Sequence, residues 1–196
     1  IALLGMAALM GAVVAWRPDV RVARLAMVVA WWLATGYLVT RFVGLDLGLA
    51  EVVGYSRAEL PAWRRGTGAW AGPAGSLLLW ITRMVSAITV ATARAPQASQ
   101  PAPGPGSAQD SRGQPELGHA SSQWSVRLPG VISVVGAAVL VLFAIPFRLA
   151  AIVPVNGRGL SPVLEHPAMA IHPPLLYVAQ ATVIYAALRA TLGSRD

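Results

Sequence analysis

From Pro173 to Leu192 the chain runs for twenty residues with Arg189 as its one charge, and runs of this kind recur along it. A helix of that length rises about 30 Å, the thickness of a bilayer's hydrocarbon core. The other runs are Ile1–Trp16, Leu25–Val43, roughly Gly75–Ala93, and Gly130–Ile145 with room to extend to Ile152. The first would span only about 24 Å and reads as a short or truncated helix. With 56% hydrophobic and 12% charged residues and a mean hydropathy of +0.60, the expectation is an all-α, polytopic membrane bundle of about five transmembrane helices. The lipid bilayer is therefore its first partner.

Composition removes several functions. There is no cysteine, so a disulfide framework, a thiolate metal site and thiol exchange are excluded. The net charge of +7 comes entirely from arginine. These arginines are scattered at helix ends and loops without a basic stripe, so no nucleic-acid partner is expected. Ile1 begins inside an apolar run with neither a basic leader nor a small-residue cleavage site, which reads as a fragment or one piece of a split protein rather than a signal peptide.

The spans divide the chain into three parts: 1–93, with three helices and a loop over 44–74; a linker over 94–127; and 128–196, with two helices and a loop over 151–172. In the linker Pro96, Pro101, Pro103, Pro105 and Pro115 alternate with Gly, Ser, Gln and Ala, a composition that cannot bury a core and reads as disordered. His119 falls there and is assigned no function. Pro129 is expected to open the fourth span. By parity, eight arginines with few acids lie on the linker side. The opposite side has six, balanced by Asp46, Glu51, Glu59 and Glu165. This bias places the linker in the cytoplasm and both loops outside.

Two features within the spans stand out. Trp31 and Trp32 lie mid-span, away from the interfacial belt, and pack against either another helix or a flat ligand. Arg83 falls near the middle of the third span, at a cost of about 2.5–3.5 kcal/mol on insertion scales. Trp80 precedes it by one turn and is within cation–π reach. Arg83 is either a structural pair or a partner for a ligand carboxylate.

The chain is organised around Leu160–Val178, where a polar, proline-punctuated loop ends at His172. Pro173 and Pro174 suit a helix's first turn, so His172 is expected at the mouth of the fifth helix. The positive end of that dipole favours an uncharged imidazole, the form that ligates a metal. The plainer alternative is a histidine capping the helix at headgroup depth.

Two separated segments carry a resemblance. Trp70-Ala-Gly-Pro-Ala-Gly-Ser-Leu-Leu-Leu-Trp80 resembles the segment W-G/A-G-H-E-G-S-L-L-L-W of CcmF-type cytochrome c biogenesis proteins. Pro146-Phe-Arg-Leu149, then Asn156 to Leu164, then Pro167-Ala-Met-Ala-Ile-His172-Pro-Pro-Leu-Leu-Tyr177 resembles the family's N-P-F-x-R-L … L-N-P-L-L-Q-D-P-G-x-x-I-H-P-P-L-L-Y. The resemblance covers about 55–192, the linker excepted, and matches the N-terminal part of such proteins.

It implies a haem-handling subunit of a haem lyase, in the family named for a WWD motif, at the bacterial cytoplasmic (inner) membrane with periplasmic loops. Its implied cofactor is haem b. Its implied partners are apocytochrome c and other maturation subunits. By this resemblance His172 is an external axial ligand to haem iron. Trp70, Gly72, Gly75, Ser76, Trp80, Pro162, Pro167, Pro173, Pro174 and Tyr177 are family-matched positions assigned to structure. No catalytic residue is assigned.

The chain also departs from the family pattern. Pro73-Ala74 replaces His-Glu, Ser161 replaces Asn, and Glu165-His166 replaces Gln-Asp. The WWD segment and a second external histidine are absent from residues 1–196, and His166 is not expected to substitute. The N-terminal portion of a haem lyase subunit, a non-enzymatic haem carrier or scaffold, and a transporter fragment without haem are the three readings in play.

Overall fold

The computed structural model describes residues 2–93 and 117–193. The helices in chain order are α1 (Ala2–Trp16), α2 (Arg21–Val43), the short α3 (Ala50–Tyr55) and α4 (Ala62–Thr67), α5 (Pro73–Ala93), α6 (Leu117–Val139) and α7 (Ala168–Gly193). A 3-10 turn at Gly68–Trp70 leads into α5, and α6 continues through one π turn at Leu140–Ala144. Among the described residues there is no strand. Four helices are long and apolar enough to cross a membrane, and α1 is a shorter apolar helix. The molecule is the all-α membrane bundle its apolar runs imply.

Polar contacts between the spans fix which faces meet. Trp31, fully buried at the middle of α2, donates its indole N–H to Ser133 Oγ on α6 at 2.8 Å. Ser133 in turn donates to the Ala7 carbonyl of α1 at 2.9 Å. The Thr35 and Thr82 hydroxyls join α2 to α5 at 2.9 Å. In hydrocarbon an unpaired donor has no water to turn to, so such links specify register as well as contributing roughly 0.6–2 kcal/mol each. Beside them a Cβ on Gly130 would stand 2.5 Å from the Gly11 carbonyl, so α1 and α6 touch backbone to backbone. Trp31 thus packs against helices.

Three sequence expectations are corrected. Pro129 does not open the fourth helix but lies buried inside it. The stretch from Leu117 to Leu128 contains no proline to stop the helix, and membrane helices tolerate an internal one where neighbours re-satisfy the backbone. The expected linker over 94–127 is therefore helical from Leu117, while 94–116 lies outside the described residues. The fourth span also does not extend to Ile152. The Ile145 N–H turns back to the Leu140 carbonyl, and Pro146 follows, which disfavours helical geometry in the residue before it.

The third correction concerns α7, which starts at Ala168 rather than Pro173. His166 Nδ1 accepts the Ala168 N–H at 3.2 Å. The His166 and Pro167 carbonyls accept the N–H groups of Met169 and Ala170 at 2.9 and 3.1 Å. That cap starts the helix several residues early and carries it through both prolines. His172 is thus a turn inside α7 rather than at its mouth.

Candidate functional site

The segment between α2 and α5 and the segment between α6 and α7 meet on one face of the bundle. The Ala50 N–H donates to the Arg148 carbonyl and the Ala150 N–H to the Gly48 carbonyl, both at 2.9 Å. Farther along, the Arg158 N–H reaches Val53 and the Gly159 N–H reaches Ser56 at 2.8 and 3.0 Å. Asn156 pins the turn, accepting from the Ala58 N–H and donating to Glu59. The Arg57 guanidinium closes on Glu165 at 2.8 Å. Gly159 takes a left-handed φ of +79° against the Arg57 stem, a conformation that glycine adopts without strain. Parity alone indicated that these segments share a face; their pairing had no local sequence signal.

On this face the first family-matched segment builds the start of α5. The Ser76 hydroxyl donates to the Trp70 carbonyl at 2.6 Å and the Ser76 N–H to the Gly72 carbonyl at 3.0 Å. A Cβ on Gly72 would strike Glu51 and Tyr55, and one on Gly75 would strike the Ala69 carbonyl. Glu51 lies against this turn, with Oε1 at 3.4 Å from the Gly75 N–H. Burial pushes its carboxyl above the ordinary range, opposed by the Gly75 and Ala74 amides and by Arg148. The Pro73-Ala74 pair contributes no side-chain polar group here.

The second segment lies against the first. A cleft of about 290 Å³ is lined by Trp70 and Ser76 from one side and by Leu164, Pro173, Leu176 and Tyr177 from the other. The Trp70 indole N–H is buried there with no hydrogen-bond partner. Farther down, the Trp80 indole N–H donates to Gln180 Oε1 at 2.7 Å, which ties α5 to α7. Gln180 carried no motif signal. Pro162 and Pro167 are exposed in the loop, whereas Pro173, Pro174 and Tyr177 are half-buried.

His172 is exposed. At about 100° per residue it falls well off the Tyr177–Ala181 line that meets α5. It shares its side of α7 with Leu175, Ala179 and Val183, and of these Leu175 and Val183 are 59% and 68% exposed. Only 6% of the α7 span is buried, so this side has no protein covering among the described residues. No group of three His, Cys, Asp or Glu side chains that could hold a bare metal ion stands together among those residues either. An exposed imidazole beside apolar side chains offers a nitrogen donor and apolar surface, the donor chemistry that a haem group would need. His166 has its Nδ1 committed to the helix cap.

The cation–π contact expected between Arg83 and Trp80 is also corrected. The Arg83 guanidinium lies 4.7 Å from the ring of Trp32, because the Trp32 indole is held on α5 by Ser86 Oγ at 3.1 Å while Trp80 turns to Gln180.

No family model and no solved structure matches the chain. Several curated proteins do. The cytochrome c-type biogenesis protein CcmF of Escherichia coli is 33% identical over 189 residues, covering 89% of this chain and 26% of its own length. CcmF of Pseudomonas aeruginosa is 31% identical over 191 residues, covering 92% of this chain and 26% of the relative. The cytochrome c-type biogenesis protein ccl1 of Rhodobacter capsulatus is 30% identical over 149 residues, covering 74% of this chain and 19% of the relative. The chain thus spans about a quarter of the length of the first two of these relatives. By its sequence the chain is a homologue, over about a quarter of their length, of the CcmF-type cytochrome c-type biogenesis proteins.

Proposed function

We propose that this chain takes part in cytochrome c maturation by presenting His172 as one axial ligand to haem iron at the outer face of the bacterial cytoplasmic membrane. The observation that carries the reading is the exposed imidazole on the uncovered, apolar side of α7, set by the same helix turn that packs Pro173 and Tyr177 onto Trp70 and Ser76. Haem b, when bound there, would supply the iron and the vinyl carbons to which the thiols of apocytochrome c add. The chain's own contribution would be to hold and orient: His172 would hold the iron, and the exposed Leu175, one turn along the same side of α7, would offer the macrocycle apolar surface. On this reading the chain positions haem, and no nucleophile is assigned among the described residues; further protein, the remaining length of the family or other maturation subunits, would supply the second iron ligand.

The reading requires the loop face to be periplasmic. Val155 lies in the segment between α6 and α7 and is fully exposed, and the chain has no cysteine of its own. Val155→Cys is expected to react with a membrane-impermeant maleimide in cells whose outer membrane alone has been opened. Labelling that appears only after the inner membrane is broken would put His172 on the wrong side.

A further inference from the structure

We infer that the groove between α2, α5 and α7 docks a partner's transmembrane helix bearing a carboxylate at mid-depth, an interaction separate from the haem reading. Arg83 is the eleventh of the 21 residues of α5, about 15 Å from either end. It does not snorkel. Its guanidinium is stacked at 4.7 Å on Trp32, itself the twelfth of the 23 residues of α2, and so stays near the plane farthest from water.

No acid answers it within the described residues. Asp19, Asp46, Glu51, Glu59 and Glu165 all lie outside the membrane-length helices, and Arg83 Nε is hidden with no hydrogen-bond acceptor. A cation at that depth costs several kcal/mol unless paired, and such residues ordinarily face a partner.

The space for that partner is present. Beside Arg83 a cleft of about 320 Å³ is lined by Trp32 of α2, by Ser86 and the small Ala87 of α5, and by the small Ala181 with Thr182 and Tyr185 of α7. Small residues let a helix approach closely. Depth decides between occupants. An anionic lipid headgroup would have to sink about 15 Å from the interface, whereas a helix lying in the groove brings its carboxylate to Arg83 with the bilayer undeformed.

The test uses the full chain in phosphatidylcholine vesicles, labelled at Thr191→Cys. The probe is a synthetic 21-residue leucine–alanine helix with lysine ends and either Glu or Gln at its eleventh position. Energy transfer is expected to show the Glu peptide associating about tenfold more tightly than the Gln peptide. That preference should vanish in Arg83→Leu, which only makes the span more apolar, and persist in Arg83→Lys. Equal association of the two peptides, a preference surviving Arg83→Leu, or displacement of the Glu peptide by added phosphatidylglycerol would overturn the inference; the last outcome would assign the groove to lipid.

Discussion

Replacing Gly75 by alanine is expected to destabilise the folded chain by about 3 kcal/mol, far more than a methyl group costs at an open helical site. The added carbon meets the Ala69 carbonyl, which belongs to the turn that packs on the start of α5, and Leu38 of α2 closes the same space at 3.3 Å. Neither neighbour can yield cheaply, because one is backbone and the other is fully buried. Gly36 provides the comparison. Nothing stands within 4 Å of a Cβ there, so Gly36→Ala should be neutral or gain up to about 1 kcal/mol from helix propensity. Apparent unfolding temperatures in mild detergent separate the two. Equal shifts would mean that the close packing of this motif glycine has been misread.

Loss of the His172 ring is the second large effect. In cells whose c-type cytochromes depend on the protein containing this chain, His172→Ala should lower the yield of cytochrome with covalently attached haem at least tenfold. Even groups that only orient a metal ligand are worth roughly 10–100-fold, and here the ligand itself is removed. The ring is exposed, so its removal leaves no cavity and the fold should persist. His166→Ala is the control, since it removes the acceptor for the Ala168 N–H and costs about 1 kcal/mol of helix cap with little effect on yield. Haem-stained gels of membranes give both values.

The contrast between these two histidines shows what sequence can and cannot reveal. The apolar runs announced the membrane helices because their length and lack of charge leave hydrocarbon as the only fitting solvent. Helix ends were less legible. Pro129 and Pro173-Pro174 suggested starts, but each lies inside a helix, since a cap or an unbroken upstream stretch lets a helix begin earlier and carry a proline. The actual start of α7 is set by a side-chain nitrogen of His166, a local hydrogen bond that no periodicity reports. Long-range partners were hidden for the same reason. Trp32 rather than Trp80 covers Arg83, because which of two nearby rings turns inward depends on Ser86 and Gln180 across helix interfaces. That the Trp70 and Tyr177 segments share a face could be anticipated from the parity of the spans, whereas the Arg57–Glu165 and Asn156 links that knit their loops could not.

Haem binding by His172→Gly in the presence of free imidazole tests the central claim most directly. The glycine variant opens the space of the ring while keeping the rest of α7. The account predicts that the purified protein containing this chain loses haem affinity at least tenfold on this change, and that millimolar imidazole restores both the binding and the nitrogen-ligated absorption spectrum of the parent. An unchanged haem affinity and spectrum in the glycine variant would contradict it, because the iron would then be held by some other group.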